Sequence, residues 1–320
     1  MLQEFAFSPD VFFPDTFGVK AGNGEFIAAE NHGHLALAAL WKGIERFGVI
    51  RNLGAGRWAK TLDVRQEELH VRSREVLKKL RLDGRIVSAG VYSSSAPTYE
   101  MDWLDEALAS HKADPEITQF FGTDFFCESI KAAEYQQLPK GISKIPFCSP
   151  FSGGGCSIKV ERNVAAYISA LRPLIKYSRS LMFVDPHLDL NAPNYQDFLG
   201  LLREIALINP SVAIELHRQI KPAYGEQFIS APAWKKRFEQ TIAADPSIKS
   251  LSIKVFIWDE FHDRYLISNL MGISVPYGFD TTKKREATRW AMLSPQDSDD
   301  VRQEFTDGDP QRRRRLWTNS

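Results

Sequence analysis

The chain has 320 residues, 43% hydrophobic and 25% charged, the balance of an ordinary globular protein with room for about two domains. Its 40 basic and 40 acidic residues cancel, which excludes the basic excess of a nucleic-acid coat protein and confines any anion-binding surface to a local patch. Three cysteines, Cys127, Cys148 and Cys156, are too few for a disulfide framework and form no CxxC pair. No apolar run reaches the roughly 18 residues of a membrane span, and the start lacks a basic segment followed by an apolar core. A cytoplasmic location and no membrane partner are therefore expected.

Residues 1–30 are rich in Phe, Pro, Asp and Gly without a clear period and read as an irregular arm. Asn31 is placed to cap a helix whose apolar positions Leu37, Leu40, Trp41 and Ile44 recur at three- and four-residue spacing, with Gly48 as its stop. A second helix is expected over 66–82, with Leu69, Val76, Leu77 and Leu80 inward, followed by Asp83-Gly84 and a short strand over 85–87. Together these predict an α-rich N-terminal domain over 1–150. It invites comparison with a winged-helix DNA reader, because Arg72, Arg74, Lys78, Lys79, Arg81 and Arg85 crowd one stretch. Glu67, Glu68, Glu75 and Asp83 interleave with them, so an ordinary solvated helix face is the alternative.

The stretch 93–155 mixes aromatic runs such as Phe120-Phe121 and Phe125-Phe126 with loop signals and ends in three glycines, 153–155. Those glycines lack the Lys-Ser/Thr that makes a nucleotide loop specific and read as a linker, with a second domain over 156–320. There the pattern alternates. Val164, Ile168, Leu171, Leu174 and Ile175 mark a helix, and the apolar run 180–184 suits a buried strand. A helix over 195–207, a strand over 212–216, a helix over 234–243 and a strand over 251–257 follow, the signature of an α/β domain with helices on both faces of a mixed sheet. Arg312 to Arg315 close the chain as a basic run, read as a solvated tail.

In open α/β sheets, ligands bind beyond the carboxyl ends of the strands. The first strand of this half ends in Asp185-Pro186-His187-Leu188-Asp189, the second in His217-Arg218, and the third leads through Trp258-Asp259-Glu260-Phe261 into His262-Asp263-Arg264. As metal ligands Asp185, His187, His217 and Asp189 would make a mononuclear site, but no HxH or HxxxH pair occurs among them, and no metal or cofactor is expected.

The segment from His262 to Asn269 resembles the signature of the phospholipase D-like superfamily, His-x-Lys followed after four residues by Asp. His262 matches the histidine; Arg264 stands at the lysine position and Asn269 at the aspartate position. Phe183-Val184-Asp185-Pro186-His187 is similar to the segment preceding the motif in a bacterial group whose motif commonly reads His-Asp-Arg-Tyr, some members of which lie in anti-phage defence loci. The resemblance covers roughly the last half of the chain. It implies metal-independent phosphodiester chemistry: His262 as nucleophile, Arg264 neutralising the phosphoryl oxygens, and Asn269 in the supporting position. Arginine suits the charge role, because its guanidinium grips phosphate through two parallel hydrogen bonds. Asp185, His187, His217, Asp263 and Gly278 are the expected supporting or phosphate-binding residues; of the family's downstream Gly-Ser-x-Asn element, the segment 275–280 keeps only the glycine and a terminal polar residue, out of register.

The family reaction needs two motif copies, one histidine attacking while the other protonates the leaving oxygen, and this chain carries one. An active form is therefore expected to be a homodimer with two His262 side chains facing each other. Two functions follow: a nuclease or nuclease-like subunit of an antiviral defence system, acting on DNA rather than RNA, or an inactive nucleic-acid-binding or scaffolding subunit with protein partners in a defence complex.

Overall fold

The computed structural model describes residues 1–13, 26–89, 97–115, 117–130, 139–147, 157–220, 228–281, 286–305 and 314–318. The chain divides into two compact units, Leu2–Gly155 and Cys156–Ser320. The glycines 153–155, read as a linker, lie outside the described residues.

The first unit corrects the expectation of an α-rich, winged-helix-like domain. Its centre is a five-stranded sheet in the order β3-β2-β1-β4-β5, made of β1 (Gln3–Phe7), β2 (Gly48–Asn52), β3 (Ile86–Ser88), β4 (Ile117–Gly122) and β5 (Pro139–Gly141). Every neighbouring pair in it is parallel. Parallel strands need crossovers, and helices supply them. They are α1 (Phe26–Phe47), α2 (Arg57–Val64), α3 (Val71–Leu82), α4 (Glu100–Ala113) and α5 (Asp124–Ser129). Within the stretch 1–30 read as an irregular arm, Gln3–Phe7 is the middle strand of the sheet. Phe5 and Phe7 on β1 and Phe120 and Phe121 on β4 are fully buried, and the rings of Phe7 and Phe121 stack 5.1 Å apart. A short strand buried on both faces has no alternation to betray it.

Helix α1 begins at Phe26, so Asn31 lies inside it rather than capping it, and the stretch read as one helix over 66–82 is a 3-10 turn (Gln66–Glu68) followed by α3. Strand β3 continues the parallel sheet beside β2 instead of opening a wing. Three of the six cations in the basic stretch around α3 face carboxylates: Arg72 meets Glu75 at 3.2 Å, Arg74 meets Glu67 at 3.7 Å and Arg81 meets Asp63 at 2.5 Å, all in solvent-exposed pairs.

The second unit holds an eight-stranded sheet in the order β13-β9-β8-β7-β10-β11-β12-β6. Its strands are β6 (Ser157–Glu161), β7 (Ser180–Val184), β8 (Ala213–Gln219), β9 (Ser252–Trp258), β10 (Tyr265–Ser268), β11 (Gly272–Ser274), β12 (Ala287–Met292) and β13 (Arg314–Thr318). Helices α6 (Val164–Tyr177), α7 (Gln196–Ile208), α8 (Ala231–Ala244) and α9 (Pro295–Gln303) accompany them. Strands β7, β8 and β9 are parallel and the other pairings antiparallel, which makes the sheet mixed. Helix α6 starts where Asn163 accepts the Ala166 N–H at 2.9 Å, a side-chain cap that replaces one missing intrahelical bond. Leu181, Met182, Phe183 and Val184 of β7 are all buried, each side chain contributing roughly 1.5–3 kcal/mol on leaving water. Of the terminal basic run, the backbone of Arg314 and Arg315 belongs to edge strand β13; Arg312 and Arg313 lie outside the described residues. Among the described residues, no helix is long and apolar enough to cross a membrane.

Candidate functional site

The polar cluster of the second unit grows from the end of β7. The residue after the strand, Asp185, is fully buried, and burial pushes its carboxyl above the usual range. Four groups oppose that push. Oδ1 accepts the His187 N–H at 3.1 Å, Oδ2 accepts the Tyr195 hydroxyl at 2.9 Å and the Phe279 N–H at 3.1 Å, and the Arg264 Nε lies 3.6 Å from Oδ1. A buried carboxylate is tolerable only with such a set of donors. The Tyr195 hydroxyl is held protonated, its pKa raised well above the ordinary value by burial and then by the Asp185 charge.

The Phe279 N–H reaches Asp185 because the chain turns tightly at Gly278. That residue has φ +59°, and a Cβ there would stand 1.9 Å from the Asp185 Oδ2. Only glycine satisfies both the left-handed backbone and the close approach. The turn is fixed by the Gly278 N–H donating to the Val275 carbonyl at 2.7 Å and by the Val275 N–H donating to the Arg264 carbonyl at 3.0 Å. Arg162, 5% exposed, locks the far side: it meets the Asp280 carboxylate at 3.0 Å, donates to the Asp280 carbonyl at 3.2 Å, and lies over the Tyr277 ring.

Arg264 sits immediately before β10, beside Asp185, with its side chain 27% exposed. Its Nη1 makes only long contacts, 3.4 Å to the His262 carbonyl and 3.5 Å to the Pro276 carbonyl, and its Nη2 has no hydrogen bond among the described residues. The guanidinium is thus aimed by a buried carboxylate while retaining donors for an outside acceptor. His262 lies two residues earlier, 81% exposed, with its Nε2 3.5 Å from Glu260. Asp263 is exposed. The connection between β9 and β10 therefore carries three acids, Asp259, Glu260 and Asp263, around one histidine and one arginine.

Two of the residues expected in the site stand elsewhere. Asn269 follows the opposite end of β10, where its Oδ1 accepts the Arg179 N–H at 2.7 Å and the Ser180 N–H at 3.4 Å. It caps the start of β7 and does not join His262 and Arg264, because the four residues of β10 separate them along one extended strand. His217 is fully buried in an aromatic core, its ring stacked on Phe256 at 4.6 Å, and its Nδ1 accepts the Trp258 Nε1–H at 3.0 Å. His187 meets Asp185 through its backbone N–H. Asp189 is gripped by Arg237 through two hydrogen bonds of 2.9 and 2.6 Å. No group of three or more His, Cys, Asp or Glu that could hold a metal ion occurs among the described residues.

Tyr195 and the Arg162–Asp280 pair were not singled out by the sequence. Tyr195 stands in a 3-10 turn (Pro193–Tyr195) ahead of α7, and its only sequence signal is an aromatic residue beside a helix start. Arg162 and Asp280 lie more than a hundred residues apart, and neither has a local pattern.

No family model and no curated protein sequence matches the chain. Among solved structures, TrmBL2, an archaeal chromatin protein, is 12% identical over 74% of this chain and 80% of that chain, with a TM-score of 0.28. A superposition that loose does not establish a shared fold.

Proposed function

We propose that the second unit is a phospholipase D-like, phosphodiester-handling domain that binds the nucleic-acid backbone through Arg264 and His262 and, as a single copy, does not cleave it. The observation that carries this reading is the Asp185–Arg264 pair: a fully buried carboxylate faces a guanidinium, on a side chain 27% exposed, at the strand ends, beside an exposed imidazole. Fixing the cation in advance reduces the ordering cost of gripping a phosphate. Turnover asks for more. Attack of the His262 nitrogen on phosphorus forms a P–N bond and breaks a P–O bond, and the leaving oxygen must take a proton from a second acid. Water then breaks the P–N bond.

A hydrolytic reading is kept for one reason. His262 is 81% exposed, so a second copy of the chain can bring its own His262 to the same phosphate and serve as that acid. Labelled single- and double-stranded DNA incubated in EDTA with wild type and His262→Ala separates the two. Binding without cleavage supports the first reading. Cleavage that disappears in His262→Ala and scales with a dimer fraction supports the second. No binding by the wild type sinks both.

A further inference from the structure

The turn that carries Gly278 presents one more group beside Arg264. Tyr277 sits between two residues that approach the Arg264 side chain: the Pro276 carbonyl lies 3.5 Å from Nη1, and a Cβ on Gly278 would stand 3.1 Å from Cδ. Consecutive Cα atoms are about 3.8 Å apart, so the tyrosine leaves the chain within one residue of both approaches. It is 60% exposed. Among the described residues its ring meets the Arg162 guanidinium, 5.1 Å from the centroid, and takes part in no ring pair or hydrogen bond. Arg162 does not depend on that ring, because the Asp280 carboxylate and carbonyl hold it at 3.0 and 3.2 Å and Glu286 lies 3.7 Å away. The turn beneath is pinned by the Gly278 N–H on the Val275 carbonyl at 2.7 Å and by the Phe279 N–H on Asp185 at 3.1 Å. A large aromatic ring is thus backed by a cation and left open to solvent, on the same turn that borders Arg264.

Charge says what such a ring adds. The connection leading to Arg264 holds Asp259, Glu260 and Asp263, so a polyanion held by Arg264 alone meets more negative charge than positive. A stacked base adds affinity without a further cation, because every base has a π-face that an aromatic side chain can cover. A duplex cannot use the ring, since its bases already stack on one another and a face is freed only by extrusion or in an unpaired strand. Resting on the phosphate-binding reading above, we propose that Tyr277 is a base-stacking platform of the Arg264 site, so that its ligand is an unpaired nucleic-acid strand with a phosphate on Arg264 and a neighbouring base on the Tyr277 ring. The pinned turn holds the platform ready and lowers the ordering cost of stacking.

The test is fluorescence anisotropy with three labelled DNAs of equal length: a single strand of about 20 nucleotides, an abasic strand with the same phosphate backbone, and a duplex. Wild type is expected to bind the single strand more tightly than either of the others. Tyr277→Ala should weaken single-strand binding by about fivefold or more, the effect of removing one base–aromatic stack. Its affinity for the abasic strand should stay at the wild-type value, as should its slope of log K against log salt, which counts neutralised phosphates. Tyr277→Trp should keep the affinity and Tyr277→Leu should lose it as alanine does, which separates a stacking face from apolar bulk. Wild type binding the abasic strand as tightly as the single strand overturns the proposal. So does a Tyr277→Ala protein that binds the single strand like wild type, that loses the abasic strand equally or changes the salt slope, and so does tighter binding of the duplex. Arg264→Gln is the control for the underlying site. If it binds all three DNAs like wild type, the Arg264 reading fails and this inference with it. If it weakens single and abasic strands alike while Tyr277→Ala changes nothing, only the present inference fails.

Discussion

Replacing Gly278 by alanine should dismantle the site from a position that never touches the ligand. The residue has φ +59°, which costs an L side chain about 1–2 kcal/mol. The new methyl would also stand 1.9 Å from the Asp185 Oδ2, so carboxylate and turn must separate. Separation breaks the 3.1 Å hydrogen bond from the Phe279 N–H, a bond to a charged group worth about 1.5–3 kcal/mol. The sum is about 2.5–5 kcal/mol. For a unit of this size each kcal/mol moves the melting midpoint by roughly 2–4 °C, so a drop of at least about 5 °C is expected. Arg264 loses its tether at the same time, and binding of a labelled oligonucleotide should weaken together with stability. Calorimetry with anisotropy titration on the same samples checks both. A Gly278→Ala protein that melts within about 2 °C of wild type and binds DNA equally well would refute the account of how Asp185, Gly278 and Arg264 depend on each other.

Other outcomes follow from the same geometry. The raised pKa of Asp185 means that the folded state holds its proton more tightly than the unfolded chain, so its contribution to stability falls as pH rises from about 3.8 through the raised value. The stability of wild type minus that of Asp185→Asn, from urea melts between pH 3.5 and 7, should accordingly decline with rising pH; an increase would contradict the assignment. His217→Phe leaves the Trp258 Nε1–H without its acceptor in a buried cluster and should cost about 1–3 kcal/mol while leaving oligonucleotide affinity unchanged. A large affinity loss at preserved stability would place His217 in the site after all. Asn269→Asp should neither create nor raise phosphodiesterase activity, because position 269 caps β7; a gain of EDTA-resistant cleavage would reverse that conclusion.

The second unit was far more legible than the first, and the reason lies in element length and period. Val164, Leu171, Leu174 and Ile175 recur over 14 residues of α6, enough for a helical period to show, and the run 180–184 is β7 itself. In the first unit, β1 and β4 are five and six residues long and buried among aromatic side chains, so they offered no alternation. Neighbouring Pro9 and Asp10, which belong to a short 3-10 turn, made the region look like loop. Within the site, Asp185 and Arg264 follow expected strand ends, whereas the phosphate role of Arg264 and the choice of Gly278 came from the resemblance to the phospholipase D-like motif. Asn269 was misplaced because spacing along a sequence does not say that four intervening residues form an extended strand, which carries its two ends apart. His217 has the same sequence position, a strand end, as a reactive histidine; only the packing of Phe256, Trp258 and Phe305 around it reveals a core residue.

The central claim is that Arg264, aimed by buried Asp185, is the group that grips phosphate. Fluorescence anisotropy of a labelled oligonucleotide against wild type and Arg264→Gln at low salt tests it most directly. Loss of one charge-assisted contact of about 1.5–3 kcal/mol predicts affinity weaker by at least about tenfold in protein that is still folded at the assay temperature. Equal affinity of the two proteins would contradict it.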